Sequence, residues 1–293
     1  MASASATHDA LAILWALLTA LSNAVAVTTQ HIASTSSPSG SRGWRFISYL
    51  ARHPLWLLGW LAMGGSLLFQ SLALHFASLS LVQPLLVSEL ILGLLLRRLW
   101  LRQVVSRRAW ATAGVTAVAL AAFLLAVTGS SPSSSAAANW TTPSVWSALV
   151  AAVLVLGGLR GSPGRRAALL GSATAVLWAL EAAFIKECTD VITGSGYVWL
   201  LTHWSFYAFV VCGIGGLVCE QSALHVGPLR NSQTAIVVAD PVVSVVLGAW
   251  IFHERLGRSL PDHAGAVVAL GVALVAAGAL IRAIPATMER RAA

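Results

Sequence analysis

The stretch Gln70-Ser71-Leu72-Ala73-Leu74-His75 recurs as Gln221-Ser222-Ala223-Leu224-His225, which lies 150 or 151 positions later in the chain. The same offset places Glu89 on Asp240 and Gly114 on Gly265. A repeat of this length in so apolar a chain indicates a duplicated helical membrane bundle, and the binding site of such bundles usually lies where the repeats meet. This one observation predicts the fold class and the region of the site, and it leaves the substrate open.

The composition is that of a membrane protein. The chain has 293 residues, of which 57% are hydrophobic and 10% charged, and its mean hydropathy is +0.80. A soluble domain carries roughly a quarter of its residues as charges, so we expect an all-α, polytopic bundle whose first partner is the lipid bilayer. The net charge of +8 does not predict a nucleic-acid partner, because the basic residues lie between apolar runs instead of clustering on a soluble face.

Nine apolar runs approach the length of about 20 residues that a membrane-spanning helix needs. The nine predicted spans are Ala10–Ile32, Pro54–Phe76, Leu79–Trp100, Trp110–Thr128, Ser144–Leu159, Ala167–Glu187, Tyr197–Val226, Leu229–Phe252 and Pro261–Arg282. The first run is longer than a signal-peptide core and follows no basic residue, so we expect no cleaved leader.

The basic residues predict the orientation of these spans. With nine spans, fifteen of the eighteen fall on one side and three on the other, which puts the N-terminus outside and the C-terminus in the cytoplasm. Seventeen of them are arginine, a bias that, together with the abundant alanine, suggests a GC-rich bacterial genome and therefore the plasma (inner) membrane of a bacterium.

The repeat has an internal consequence for topology. Spans one to four correspond to spans six to nine, and the fifth connects them, so corresponding helices cross the membrane in opposite senses. We therefore predict two inverted repeats, in residues 1–128 and 167–293. An external loop and a connector helix occupy residues 129–166, and a cytoplasmic tail ends the chain.

Acidic residues inside the spans are the first candidates for a site. A carboxylate at mid-membrane costs about 2.5–3.5 kcal/mol or more, and Glu89 and Asp240 are repeat-equivalent acids near the middle of spans three and eight. Inverted symmetry would bring both to one cavity, where they could bind a coupling proton or a cationic group, with Glu181 assisting. The alternative is that each acid only hydrogen-bonds a neighbouring helix. Glu220 is expected at the cytoplasmic interface, and Lys186 is expected to extend to the outer surface.

Prolines and amides accompany these acids. Pro84 and Pro241 lie close to Glu89 and Asp240 and predict helix breaks that could free carbonyl groups toward a cavity. Gln70 and Gln221 are matched amides that could bind substrate or join helices. Glycines in the last spans permit close helix contacts, either within one subunit or in a homodimer.

Enzymatic function is not indicated. The sequence has no nucleophile–base pair, phosphate-binding loop or metal-binding run, and its histidines are scattered, so we predict no cofactor and no metal site. It has no ATP-binding motif either, so transport would have to draw on ion gradients or on a partner.

The segment from Ala223-Leu224-His225 through Asp240-Pro241 to His253-Glu254-Arg255-Leu256 resembles the drug/metabolite transporter superfamily, in its EamA-like form. The stretch from Phe76 to Leu85 is similar to the NIPA-type magnesium transporters of that superfamily, which also have nine spans. Leu67 departs from the NIPA pattern, which has a glutamate there. The resemblance implies duplicated inverted repeats and secondary transport by alternating access.

Three functions follow as hypotheses. The first is a secondary transporter that exports or exchanges a small molecule, with proton coupling at the midplane acids. The second is a NIPA-like transporter of divalent cations, magnesium above all. The third is a non-transporting membrane subunit for envelope assembly, in which the acids would all be paired between helices.

Overall fold

The computed structural model describes residues 2–35, 52–100, 102, 104–127, 139–254 and 260–283. Arg42 and Arg45, most of the predicted Ser-rich external loop, residues 255–259 with two arginines, and the predicted cytoplasmic tail lie outside these ranges. Every regular element in the described part of the chain is a helix, which confirms the all-α prediction.

Eleven helices are described along the chain. They are α1 (Ala2–Thr35), α2 (Pro54–Phe76), α3 (Leu79–Leu86), α4 (Ser88–Leu99), α5 (Arg107–Val127), α6 (Thr141–Gly158), α7 (Pro163–Ser195), α8 (Tyr197–Leu200), α9 (Trp204–Val226), α10 (Leu229–Ile251) and α11 (Leu260–Ala283). If α3 and α4 are counted as one interrupted span, the described residues contain nine helices long and apolar enough to cross a membrane. The prediction of a polytopic membrane bundle is confirmed at this level.

Two predicted boundaries in the second half of the chain are wrong. Helix α7 continues to Ser195, eight residues past the predicted end at Glu187, and stops where Gly196 adopts a positive φ of 92°. The seventh span begins at Trp204 and not at Tyr197, because the residues between form the short helix α8 and a turn. The ring nitrogen Nδ1 of His203 accepts a hydrogen bond from the Ser205 amide and caps the start of α9.

Corresponding helices of the two halves have corresponding neighbours. Helix α2 packs on α1 as α9 packs on α7, and α3 and α4 contact α1 as α10 contacts α7. Helices α5 and α11, which occupy equivalent places in the two halves, pack on each other, as α3 does on α10. This pattern is the one that a duplicated chain would produce, and the repeat boundaries stay a prediction.

Helix α7 is the central helix of the bundle. Its apolar window is the most deeply buried of the nine candidate spans, and it contacts α2, α3, α6, α9 and α10. The peripheral faces of α2, α6 and α9 instead expose large apolar side chains. Such faces suit contact with lipid tails, where a soluble protein would place charge.

Small residues set the distance between α7 and its neighbours. A Cβ atom added to Gly171 would lie 2.7 Å from the carbonyl oxygen of Ser232 on α10 and 3.0 Å from its Cα. These contacts are backbone and cannot rotate away, so the close approach of α7 and α10 depends on glycine at this position.

We predict that Gly171→Ala lowers the thermal stability of the purified protein in detergent, by about 1–3 kcal/mol, because the added methyl group forces the two helices apart. Gly114→Ala is the matched control, since a Cβ there meets nothing within 4 Å. Unfolding followed by tryptophan fluorescence measures both. Equal midpoints for the two variants would contradict the described packing of α7 on α10.

Candidate functional site

The third span is interrupted just before its acid. Helix α3 contains Pro84 and ends at Leu86, Val87 forms a turn, and α4 begins at Ser88. The interruption places Glu89 in the first turn of α4. The unpaired amides at a helix N-terminus carry a partial positive charge, so this position favours a carboxylate.

No interruption occurs at the second proline. Helix α10 runs from Leu229 to Ile251 straight through Pro241, so the predicted break at Pro241 is wrong. The proline removes one backbone donor, but α10 packs along α7, and that packing supports the helix on both sides of the position. The matched acids therefore differ: Glu89 starts a helix, whereas Asp240 lies inside a continuous one.

The structure brings four acids into one electrostatic neighbourhood. The charge of Asp240 interacts with Glu89 and Glu181, and Glu89 also interacts with Glu220. We call these four residues the acidic cluster. The Oδ1 atom of Asp240 is buried and has no hydrogen-bond partner among the described residues. This oxygen is therefore available to accept a proton or to bind a cationic group.

Two members of the acidic cluster have amide partners. Glu89 is hydrogen-bonded to the side chain of Asn23 on α1, and the Oγ atom of Ser66 donates to the Asn23 Oδ1 atom over 2.5 Å. Gln233 donates from Nε2 to Oε1 of Glu220 over 3.4 Å. Glu220 is half-buried, and its expected position at the cytoplasmic interface stays a prediction.

Glu181 is positioned by a glycine on the facing helix. Its carboxylate lies against Gly213 of α9, where an added Cβ would be 2.7 Å from Oε1. One turn earlier on α7, the ring of Trp178 occupies the equivalent notch at Gly216, 2.5 Å from an added Cβ. The two glycines thus let α9 approach the side chains that α7 presents.

The matched glutamines lie in different surroundings. Gln70 is half-buried on α2, whereas Gln221 is exposed on α9. Gln221 lines a shallow surface groove of about 500 Å³, and the other lining residues are Leu217, Val218, Ser222, His225 and Val226. The structure therefore places the side chain of Gln221 on an exposed face of α9.

Lys186 is buried and does not reach the surface as expected. Its side chain is 2% exposed, and Nζ lies 3.1 Å from Oε1 of Glu254, whose side chain is 1% exposed. The same ammonium donates to the carbonyl oxygen of Ala77 over 3.3 Å and lies 5.0 Å from the centre of the Phe252 ring. A buried carboxylate partner satisfies the charge, so the side chain has no need to extend toward water.

Glu254 also caps helix α3. Its Oε1 accepts from the amide of Leu79 over 2.8 Å, and Oε2 accepts from the amide of Ser80 over 2.9 Å and from the Ser80 hydroxyl over 2.7 Å. Ser78 at the N-cap makes no side-chain capping bond, so the carboxylate takes that role from a distant part of the chain. We call Glu254, Lys186, Leu79, Ser80 and the Ala77 carbonyl the clasp.

Four aromatic rings cover the clasp end of the bundle. The Trp140 ring stacks on Phe184 at 5.1 Å and meets Trp204 and Phe252 edge to face at 5.4 and 5.5 Å between centroids. Phe184 and Trp204 are 5.6 Å apart. These rings come from four separate segments, and we call them the aromatic lid.

The sequence contains two signals for the clasp, in Lys186 and Glu254. Lys186 is the only lysine and stands inside a long apolar run, which is itself a sign of pairing within the bundle. Glu254 belongs to the Glu-Arg-Leu segment on which the family resemblance depends. Asn23, the partner of Glu89, carried no comparable signal, because a single amide in an apolar helix is common.

In the part of the chain that the structure describes, no three or more histidine, cysteine, aspartate or glutamate side chains form a group that could hold a metal ion. The three cysteines are all free and buried. The polar chemistry of the described bundle therefore lies in the acidic cluster and the clasp.

Comparisons with known proteins leave the family open. An uncharacterized protein of Corynebacterium glutamicum is 27% identical over 293 residues, and the alignment covers 96% of this chain and 98% of that protein. No family profile matches the chain, and no solved structure matches it. The class that fold and comparisons define is that of an integral, multi-pass membrane protein.

We predict that Glu254→Ala destabilises the protein more than Lys186→Met. Removing the carboxylate leaves a buried ammonium with one carbonyl acceptor and uncaps α3, at a cost of roughly 3–5 kcal/mol. Removing the ammonium leaves a carboxylate that keeps three donors. Thermal unfolding in detergent ranks the variants, and the reverse order would show that the helix cap contributes little.

Proposed function

We propose that the protein is a secondary transporter of the drug/metabolite type that moves a small molecule by alternating access around the acidic cluster, with proton coupling. The observation that carries this proposal is the convergence of Glu89, Glu181 and Asp240 from helices of both halves. Acids in apolar spans are costly, and a cluster contributed by both repeats is the usual location of a transport site.

The chemistry of the cluster suits a proton or a cationic group. Neighbouring carboxylates repel one another, and a proton or an ammonium group placed among them relieves that repulsion. Asp240 has a buried oxygen available as an acceptor, and Glu89 is oriented by Asn23. We assign Asp240 and Glu89 to binding, with Glu181 at the edge of the same field.

The resemblance to the drug/metabolite transporters supports the same assignment. It implies secondary transport by alternating access, while the distribution of the basic residues predicts the N-terminus outside. In that orientation the clasp lies at the outer end of the bundle and the Gly227–Pro228 turn at the cytoplasmic end. The substrate would reach the cluster from one end at a time.

The resemblance of the first half to the NIPA-type proteins keeps a second candidate, a transporter of magnesium. Magnesium binds carboxylate oxygens while retaining several waters, but among the described residues no three acids, histidines or cysteines lie close enough together to hold an ion as a group, so this candidate requires Glu89 or Asp240 to bind a hydrated ion in turn. In this case the metal is the cargo. The side-chain pairing of Glu89 and Glu220 with amides is what a non-transporting subunit would require, and the experiment below includes that outcome.

We would first measure the pH of the purified protein in weakly buffered detergent solution while adding candidate cations and lipophilic amines. Proton release on addition of an amine identifies a proton-linked transporter and its ligand class. Release with magnesium alone supports the NIPA-like candidate. Silence across the panel from folded protein favours neutral substrates or the non-transporting subunit.

We predict that the double variant Glu89→Gln, Asp240→Asn loses proton release and loses transport in proteoliposomes, because neither position can then exchange a proton. Asp190→Asn is the matched control, since Asp190 lies on α7 nine residues beyond Glu181, outside the acidic cluster. Size-exclusion profiles check folding. Normal transport by a folded double variant would refute the proposed site.

A further inference from the structure

Three helices meet at the clasp, and each leads to an acid of the cluster. Helix α3, whose first amides are held by Glu254, leads through the interruption to Glu89. Helix α7 carries Lys186 five residues after Glu181, a rise of about 7.5 Å. Helix α10 carries Asp240 and leads into the segment that contains Glu254. A displacement of any of these helices at the cluster therefore acts on the clasp.

The clasp joins the two halves of the chain at one end of the bundle. Glu254 and Lys186 belong to the second half, whereas Ala77, Leu79 and Ser80 belong to the first. The halves meet there through hydrogen bonds to buried ions, which are strong in a dry environment. The aromatic lid covers these bonds, and Phe252 belongs to both structures because Lys186 lies over its ring.

The clasp is packed tightly against α10. A Cβ on Gly248 would overlap Oε2 of Glu254 and Oγ of Ser80, so the carboxylate sits directly against the α10 backbone. Sliding α3 along α10 would break three hydrogen bonds together. Separating the halves would also return both ions to water, which compensates them for the lost partners.

The opposite end of the bundle is joined differently. There Asn231 donates to the carbonyl oxygen of Gly164 over 3.2 Å, and Gly227 packs on the backbone of Pro163. These contacts join α7 to α10 and to the turn before it, within the second half. They would persist while the first half moves.

Resting on the transport function proposed above, we propose that Lys186 and Glu254 are positioning residues of a gate, and that breaking the clasp opens the acidic cluster to the clasp side of the membrane. The structure has this gate closed. Neither residue touches the substrate in this proposal; they act by holding α3 against α7 and α10. Binding at the cluster moves the helices that carry the clasp, and the clasp opens or closes with them.

The buried thiol of Cys212 provides a native reporter for the gate. It lies on α9, close enough to Glu181 for their charges to interact, and its residue is 7% exposed. Replacing Cys188 and Cys219 with alanine leaves it as the single cysteine. We would apply a membrane-impermeant, cationic methanethiosulfonate reagent to intact cells and, in parallel, to inverted membrane vesicles.

We expect slow labelling of Cys212 from the clasp side in the reporter protein and labelling about 10-fold faster in Lys186→Met, because loss of the ion pair raises the population of the open gate. Lys186→Arg keeps the cation and is expected to label slowly. The charge swap Lys186→Glu, Glu254→Lys is expected to stay fast, because a lysine at position 254 would face the amide donors of Leu79 and Ser80.

One result would overturn the gate: labelling of a folded Lys186→Met reporter at the parent rate, with the thiol shown to react after denaturation. A charge swap that restores slow labelling would keep the gate and overturn the role of the helix cap, because it would reduce the clasp to a simple charge pair.

A second measurement follows the clasp itself and can be made on the unmutated chain as well as on the reporter variants. Hydrogen exchange in nanodiscs reports the amides of Leu79 and Ser80, which the closed clasp protects. If the gate exists, these amides exchange faster under every condition that speeds labelling of Cys212. Fast labelling from the clasp side with both amides still protected would show that solvent enters by another route.

The two proposals fail in different ways. If the clasp controls labelling but the Glu89→Gln, Asp240→Asn variant transports normally, the gate stands and the acidic site is refuted. If transport depends on those acids but substitution of Lys186 leaves the labelling rate of Cys212 unchanged, the acidic site stands and the gate is refuted.

Discussion

The buried carboxylate of Glu254 is the interaction on which the arrangement of the helices depends. One side chain receives four hydrogen-bond donors: the Lys186 ammonium, two backbone amides of α3 and the Ser80 hydroxyl. In an apolar environment each of these groups needs a partner, and each would be costly alone. Because these groups share the Glu254 carboxylate, the start of α3 is fixed against α7 and α10. The position of the interruption in the third span, relative to the neighbouring helices, follows from this fixed start.

Helix α7 links the clasp to the acidic cluster. Glu181 lies five residues, or about a turn and a half, before Lys186, and Phe184 of the aromatic lid lies between them. Glycine notches on α9 receive Trp178 and Glu181, so the central helix presents its large and charged side chains to partners that lack a side chain. The bundle thus accommodates large and charged side chains by placing glycine opposite them. Its periphery is apolar, which suits contact with lipid.

Much of the fold could be read from the sequence because apolar runs of span length have few other uses. The nine spans and the all-helical class followed from composition and periodicity, and most boundaries fell within a few residues. The end of α7 and the start of α9 were misjudged, since a positive φ at Gly196 and a capping histidine at 203 act locally and leave no hydropathy signal.

In the candidate site, the sequence identified Glu89, Asp240 and Glu181 from the cost of burying charge. The expectation that Lys186 extends to the surface is wrong, because it depends only on the distance of Lys186 from the end of its span. The partner that holds Lys186 inside, Glu254, lies 68 residues later in the chain. Asn23 was missed for a similar reason, and the continuity of α10 through Pro241 depended on packing against α7.

The interruption at Val87 makes the third span differ from its predicted counterpart in the second half. The third span has a joint of one residue between α3 and α4, whereas its counterpart α10 is a single rod. Two equivalent arms would respond to a force in the same way, but here one arm contains a turn at Val87 and the other is one continuous helix. Motion that opens one end of the bundle is therefore not the mirror image of motion that opens the other. In the transport cycle proposed above, the two half-cycles would then have unequal barriers.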